Sequence, residues 1–171
     1  HAYHRRQRQM CIRDRNGTAG GGGFSLAITG DIIYSVKSAK FTVAYTNAGL
    51  SPDGSSTFFL PRIVGMKRAK ELMLTNRIFS AEEALEMNLI DQVLDDQEQL
   101  DQAIEKQAEI FMKGPKKAYA GVKKLLNISF DNGLETQMDI EGIKISENAE
   151  SLDGVEGLKA FSEKRKPNFN E

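Results

Sequence analysis

The sequence holds 171 residues, 40% of them hydrophobic and 27% charged, with one Cys, no Trp and a formal net charge of −1. Such a composition excludes a largely disordered chain, a membrane-spanning apolar run and, with a single Cys, a disulfide framework or a cysteine-rich zinc site. The length suits one domain with a real core, and the charge points away from nucleic acid and membrane partners; a cytoplasmic protein is expected.

These totals average over two unlike pieces. Residues 1–15 (HAYHRRQRQMCIRDR) carry five Arg against one acid, Asp14, and hold His1, His4 and Cys11, all the His and Cys of the chain. A basic arm for nucleic acid or a transit peptide is one reading. Another is that Met10 to Asp14 back-translates into a transposon end used in sequencing libraries. On that reading 1–15 is an adapter-derived, non-native segment set aside from the fold. The rest then has neither His nor Cys, which removes imidazole acid–base chemistry, thiol nucleophiles and most transition-metal sites, so no metal is expected.

From Asn16 the chain opens on NGTAGGGGFSLAITGD, with Gly20 to Gly23 running into a helix start at Phe24-Ser25-Leu26-Ala27. Free N–H groups at a helix start suit an anion or an oxyanion, and glycines allow close approach. A flexible loop or tight packing explains four glycines equally well, and neither GxGxxG in a βαβ context nor a P-loop is present. Residues 31–36 and 40–45 read as short strands. Pro52-Asp53-Gly54 is a turn signal; the apolar neighbours Leu50 and Thr57 to Leu60 also suit a carboxylate acting as a base. Met66 to Thr75 is helical, with Ala69, Leu72 and Met73 on one face. Ser80 and Glu83 form a capping box ahead of a further helix, and Leu89 to Leu94 reads as a short strand. Helices are expected over 97–113, 115–129, 134–150 and 153–165. Leu134, Met138 and Ile145 form one stripe, and Val155, Leu158 and Phe161 another. The order is mixed α/β, then all-helical.

Taken together, NGTAGGGGFSLA, Gly30-Asp31, Ala39-Lys40-Phe41, GLSPDGSSTFFLPRIVG, LMLTNRIFSAEEALEMNLIDQV and SLDGVEGLKAFSEKRKPNF resemble the crotonase superfamily, the enoyl-CoA hydratase/isomerase family, over 16–171. The resemblance implies an α/β fold: a crotonase-like ββα superhelix over 16–95, partial because the N-terminal half is missing, then a helical trimerisation region over 96–171. It implies a homotrimer or dimer of trimers, an acyl-CoA thioester as substrate, and no cofactor beyond the coenzyme A of that substrate. Gly22 becomes the oxyanion N–H, flanked by Gly21 and Gly23. The family's hydratases place two catalytic glutamates where this chain has Ser25 and Tyr45, neither of which replaces a carboxylate as base. Those two residues are therefore expected to line the substrate site. Asp53 falls where the family's dienoyl-CoA and ring-1,2-epoxyphenylacetyl-CoA isomerases keep a catalytic aspartate.

The resemblance thus implies isomerisation by one aspartate, with Phe161 and Lys164 contacting the CoA adenine of a neighbouring subunit. For Phe161 a place in the helical core, and for Lys164 a solvated one, are equal alternatives. Competing readings are an atypical hydratase, a 4-chlorobenzoyl-CoA dehalogenase-like enzyme, a CoA-binding pseudoenzyme, and a nucleic-acid binder acting through the basic arm. By the same resemblance, a chain without the first oxyanion donor is expected to be inactive alone, since one donor is worth about two to three orders of magnitude.

Overall fold

The computed structural model describes residues 12–15 and 17–169; residues 1–11, with His1, His4 and Cys11, lie outside them. Within it the chain divides into two units, the first running to Gln107 and the second from Ala108.

The first unit is α/β. Strand β1 (Ile12–Arg15), β2 (Ala19–Gly20) and helix α1 (Gly22–Ala27) lead into β3 (Ile32–Val36) and β4 (Lys40–Thr42). A 3-10 turn (Thr46–Ala48), α2 (Ser56–Thr75), β5 (Phe79–Ser80), α3 (Ala81–Glu86) and β6 (Gln92–Leu94) follow. Strand β3 lies between β1 and β6, parallel to both. Partners on both edges suit its largely apolar run, and Ile33 to Val36, the polar Ser35 included, are buried. Four residues of the segment set aside as non-native, Ile12 to Arg15, therefore pair in register with Ile32 to Ser35.

The second sheet has the order β2-β4-β5. Its β2–β4 pair is parallel, Ala19 opposite Phe41 and Gly20 opposite Thr42. Both strands therefore end on the same edge, where α1 begins and the chain turns towards Tyr45. Phe41 stacks on Phe79 of β5 with centroids 5.6 Å apart, and Phe24 of α1 meets Phe79 edge-on at 6.1 Å. These rings fix α1 against the sheet.

Helix α2 takes up Thr57 to Leu60 as its first turns, ahead of the stretch read as helical from sequence, and it breaks at Gly65 (φ +78°). Ala69 and Leu72 are buried as the spacing predicts, and Ser80 Oγ accepts from Glu83 N at 3.2 Å, completing that half of the capping box. Helix α4 (Gln97–Lys113) belongs to both units. Leu100, Ala103 and Ile104 pack with the first core.

The second unit holds the rest of α4 with α5 (Lys116–Ile128), α6 (Leu134–Ala149) and α7 (Leu152–Ser162). These bounds match the expected helices to within a few residues. Among the described residues Ala160 is its one buried apolar side chain. No described helix is long and apolar enough to cross a membrane.

Candidate functional site

The glycine run reaches α1 through Gly21, whose φ of +52° lies in the region that glycine adopts without steric cost. Helix α1 starts at Gly22, and the first N–H groups of a helix have no intrahelical carbonyl to meet. Gly22 and Gly23 are exposed and Gly21 is half-buried. Ser25, in the first turn, is fully buried, and its N–H donates to Gly21 O at 3.0 Å.

Tyr45 precedes the 3-10 turn that follows β4. Its hydroxyl lies 2.9 Å from Ser25 Oγ and donates to Asp53 Oδ1 at 2.5 Å. A Cβ built on Gly22 would lie 3.9 Å from that same hydroxyl. Burial of the phenol, then the hydrogen bond to Asp53, raise the Tyr45 pKa above its ordinary value of 10.0. Tyr45 therefore keeps its proton near neutral pH and serves as a donor to the carboxylate.

Asp53 is exposed, in the turn before α2. Leu50 faces solvent at 61% exposure and Phe58 at 48%, so these two side chains form no apolar pocket around the carboxylate within this chain. The backbone of the turn is tied instead: buried Ser56 donates from both N (3.3 Å) and Oγ (3.0 Å) to Asp53 O. At Gly54 φ is +61°, and a Cβ there would lie 2.8 Å from Ser25 Cβ.

A second layer holds the Tyr45 turn, and residue types alone did not single it out. Asn76 closes α2 in the left-handed region (φ +48°) and is buried. Its amide donates to Thr46 Oγ1 and, at 3.2 Å, to Asn47 Oδ1, while Thr42 Oγ1 donates to Asn76 O at 2.9 Å. The one available signal is an Asn just past the end of a helical pattern, where it reads as a cap.

Of the residues singled out from sequence, Gly21, Gly22, Gly23, Ser25, Tyr45 and Asp53 all lie in the first unit, and Ser25, Tyr45 and Asp53 share one hydrogen-bonded chain. Phe161 and Lys164 lie in the second unit. Phe161 is 85% exposed rather than packed in a helical core, and Lys164 is exposed with φ +54°. No group of His, Cys, Asp and Glu able to hold a metal occurs among the described residues.

A glycine-led helix start and a carboxylate held by a phenol thus lie together in the α/β first unit. Comparison with known proteins gives this arrangement its family. The enoyl-CoA hydratase/isomerase profile matches residues 8–171, and the chain belongs to this family, within the crotonase superfamily. It is 39% identical to the 1,2-epoxyphenylacetyl-CoA isomerase of Escherichia coli over 90% of this chain and 58% of that protein. It is 34% identical to the mitochondrial methylglutaconyl-CoA hydratase of Mus musculus, over 90% of this chain and 50% of that one. The crystal structure of an enoyl-CoA hydratase/isomerase from Cupriavidus metallidurans superposes with a TM-score of 0.87 at 33% identity, covering 95% of this chain and 62% of that one. The chain spans about half to three-fifths of the length of these curated relatives.

Proposed function

We propose that this chain carries the proton-transfer half of an acyl-CoA-thioester isomerase. The observation that carries the reading is that the hydrogen-bonded set Ser25–Tyr45–Asp53 contains one carboxylate, at Asp53. Asp53 takes a proton from a carbon of the acyl group; the C–H electron pair moves into the thioester and makes an enolate. The Gly22 N–H holds the enolate oxygen, where preorganised donors act most strongly as charge develops. Asp53 then returns its proton to a different carbon as the electron pair moves back, and the double bond has shifted. Proton transfer of this kind draws on no redox group or metal. Gly21 and Gly23 frame the oxyanion position, Phe161 and Lys164 contact the CoA adenine of a neighbouring subunit, and the working form is a homotrimer or a dimer of trimers. The 39% identity to an isomerase supports the reaction class.

The similarity to a hydratase favours a second reading, in which water adds across the double bond. Substrates separate the two. The full-length protein is given 3-enoyl-, dienoyl- and ring-epoxide phenylacetyl-CoA esters alongside 2-enoyl-CoA in water. Isomerised products, with turnover reduced about a hundredfold or more in Asp53→Asn and acyl-CoA binding within a few-fold, are expected. Hydration of 2-enoyl-CoA without any isomerisation, or full turnover in Asp53→Asn, would sink the proposal.

A further inference from the structure

By the family resemblance Ser25 and Tyr45 fall where hydratases keep their glutamates, and the simplest expectation gives both to the substrate. The hydrogen bonds assign them differently. An ionised carboxylate only accepts, so the Tyr45 O–H points at Asp53 Oδ1 and its oxygen is left as an acceptor. Ser25 Oγ must then donate its own proton to Tyr45 Oη across 2.9 Å. The chain of donors runs one way, from the buried serine through the phenol to the aspartate.

We propose that Tyr45 is the positioning residue of Asp53: anchored by Ser25, it occupies Oδ1 and leaves Oδ2 to meet the reacting carbon. This rests on the isomerase reading above. An exposed aspartate otherwise samples several χ1 and χ2 wells, and a base that must take a proton from one carbon and deliver it to another needs a narrow range of positions. Three features of the fold set that range. Ser25 is fully buried and its N–H is bonded to the Gly21 carbonyl ahead of α1, so the start of the donor chain does not move with solvent. Gly54 approaches the Ser25 side chain so closely that only a residue without Cβ fits, which ties the Asp53 backbone to the same serine. The Tyr45 hydroxyl also lies near Gly22, 3.9 Å from where a Cβ there would sit. Burial holds its proton in place at working pH.

Two measurements on the full-length protein test this, one of them independent of turnover. In the kinetic arm Tyr45→Phe lowers kcat about tenfold or more, with KM for the CoA ester within twofold. Ser25→Ala costs a few-fold, and Ser25→Ala/Tyr45→Phe is no slower than Tyr45→Phe alone, because Ser25 acts through the hydroxyl. Loss through KM with kcat intact, or losses that multiply, overturns the positioning role. In the spectroscopic arm the protein carries 13Cζ-labelled tyrosine, and the resonance missing from Tyr45→Phe is assigned to Tyr45. Its titration in the wild type lies above the usual tyrosine range and moves to lower pH in Asp53→Asn. No movement overturns the hydrogen bond, whatever the activity. A wild type that shows this movement but isomerises none of the esters overturns the isomerase reading instead.

Discussion

Gly54 shows how narrowly the residues of the site are specified. Its φ of +61° favours glycine, and the space a Cβ would take already holds Ser25 Cβ at 2.8 Å. Gly54→Ala adds left-handed strain of about 1 kcal/mol to a clash with a short, buried side chain that cannot rotate away. We expect a loss of about 2–3 kcal/mol in urea unfolding, and a turnover defect, since relief of the clash moves Asp53. Gly22 is the contrast. A Cβ there meets only the Tyr45 hydroxyl at an ordinary 3.9 Å, so Gly22→Ala should leave stability nearly unchanged. From sequence, Pro-Asp-Gly announces a turn and nothing about Ser25, because the two meet across 29 positions only once α1 and the turn are folded. The motifs single out Ser25, Tyr45 and Asp53, which the fold joins by hydrogen bonds; the direction of those bonds is not legible in residue order. That direction depends on distances of tenths of an ångström, which residue order does not carry.

At the scale of elements, the C-terminal end of α2 is held to α3 by one guanidinium. Arg77 Nε reaches Glu71 Oε1 and its Nη2 reaches Glu83 Oε1, both at 2.5 Å, with about a third of each side chain exposed. Hydrogen bonds from Arg77 hold both carboxyl groups below their ordinary value of 4.5. A carboxylate with a depressed folded pKa contributes stability above its unfolded pKa and loses it as pH falls through the folded one. Solvent screening at this exposure keeps the pair of bridges to about 1 kcal/mol. Arg77→Met should therefore be less stable than wild type in urea at pH 7, with the gap closing below pH 4.5. The same stretch explains what was legible among the elements. Leu72 and Ala69 recur at helical spacing and are buried, and Ser80 with Glu83 is a cap readable from four residues. The helical turns over Thr57 to Leu60 were not assigned, because Pro61 and Gly65 interrupt the local pattern while burial of Ser56 and Leu60 sets the helix. The left-handed cap at Asn76, buried against the Tyr45 turn, is likewise a tertiary outcome.

For the whole molecule the informative asymmetry is in where apolar side chains go. The first unit buries a continuous cluster from Ala19 to Leu100. In the second unit α6 buries none of its residues, and its predicted stripe, Leu134, Met138 and Ile145, is 76%, 59% and 70% exposed. On α7 the stripe Val155, Leu158 and Phe161 is 56%, 62% and 85% exposed. Both stripes lie on helices as their spacing predicts, but amphipathic spacing marks a face that wants cover without saying whether the cover comes from the same chain. Exposed patches of this size mark interaction surfaces more often than free ones, and each Leu, Ile or Met fully buried contributes about 1.5–3 kcal/mol. Burial of several such side chains favours association, and the homotrimer proposed above is one form of that cover. Ile145→Glu places a charge in that stripe at a position the monomer leaves open, so the helix itself should persist. Analytical ultracentrifugation of the full-length protein should show the wild type as a trimer or a pair of trimers. Ile145→Glu should shift it to monomer with unchanged helical circular dichroism. A wild type that sediments as a monomer at micromolar concentration would remove the trimer, and would leave these two stripes to a partner of another kind.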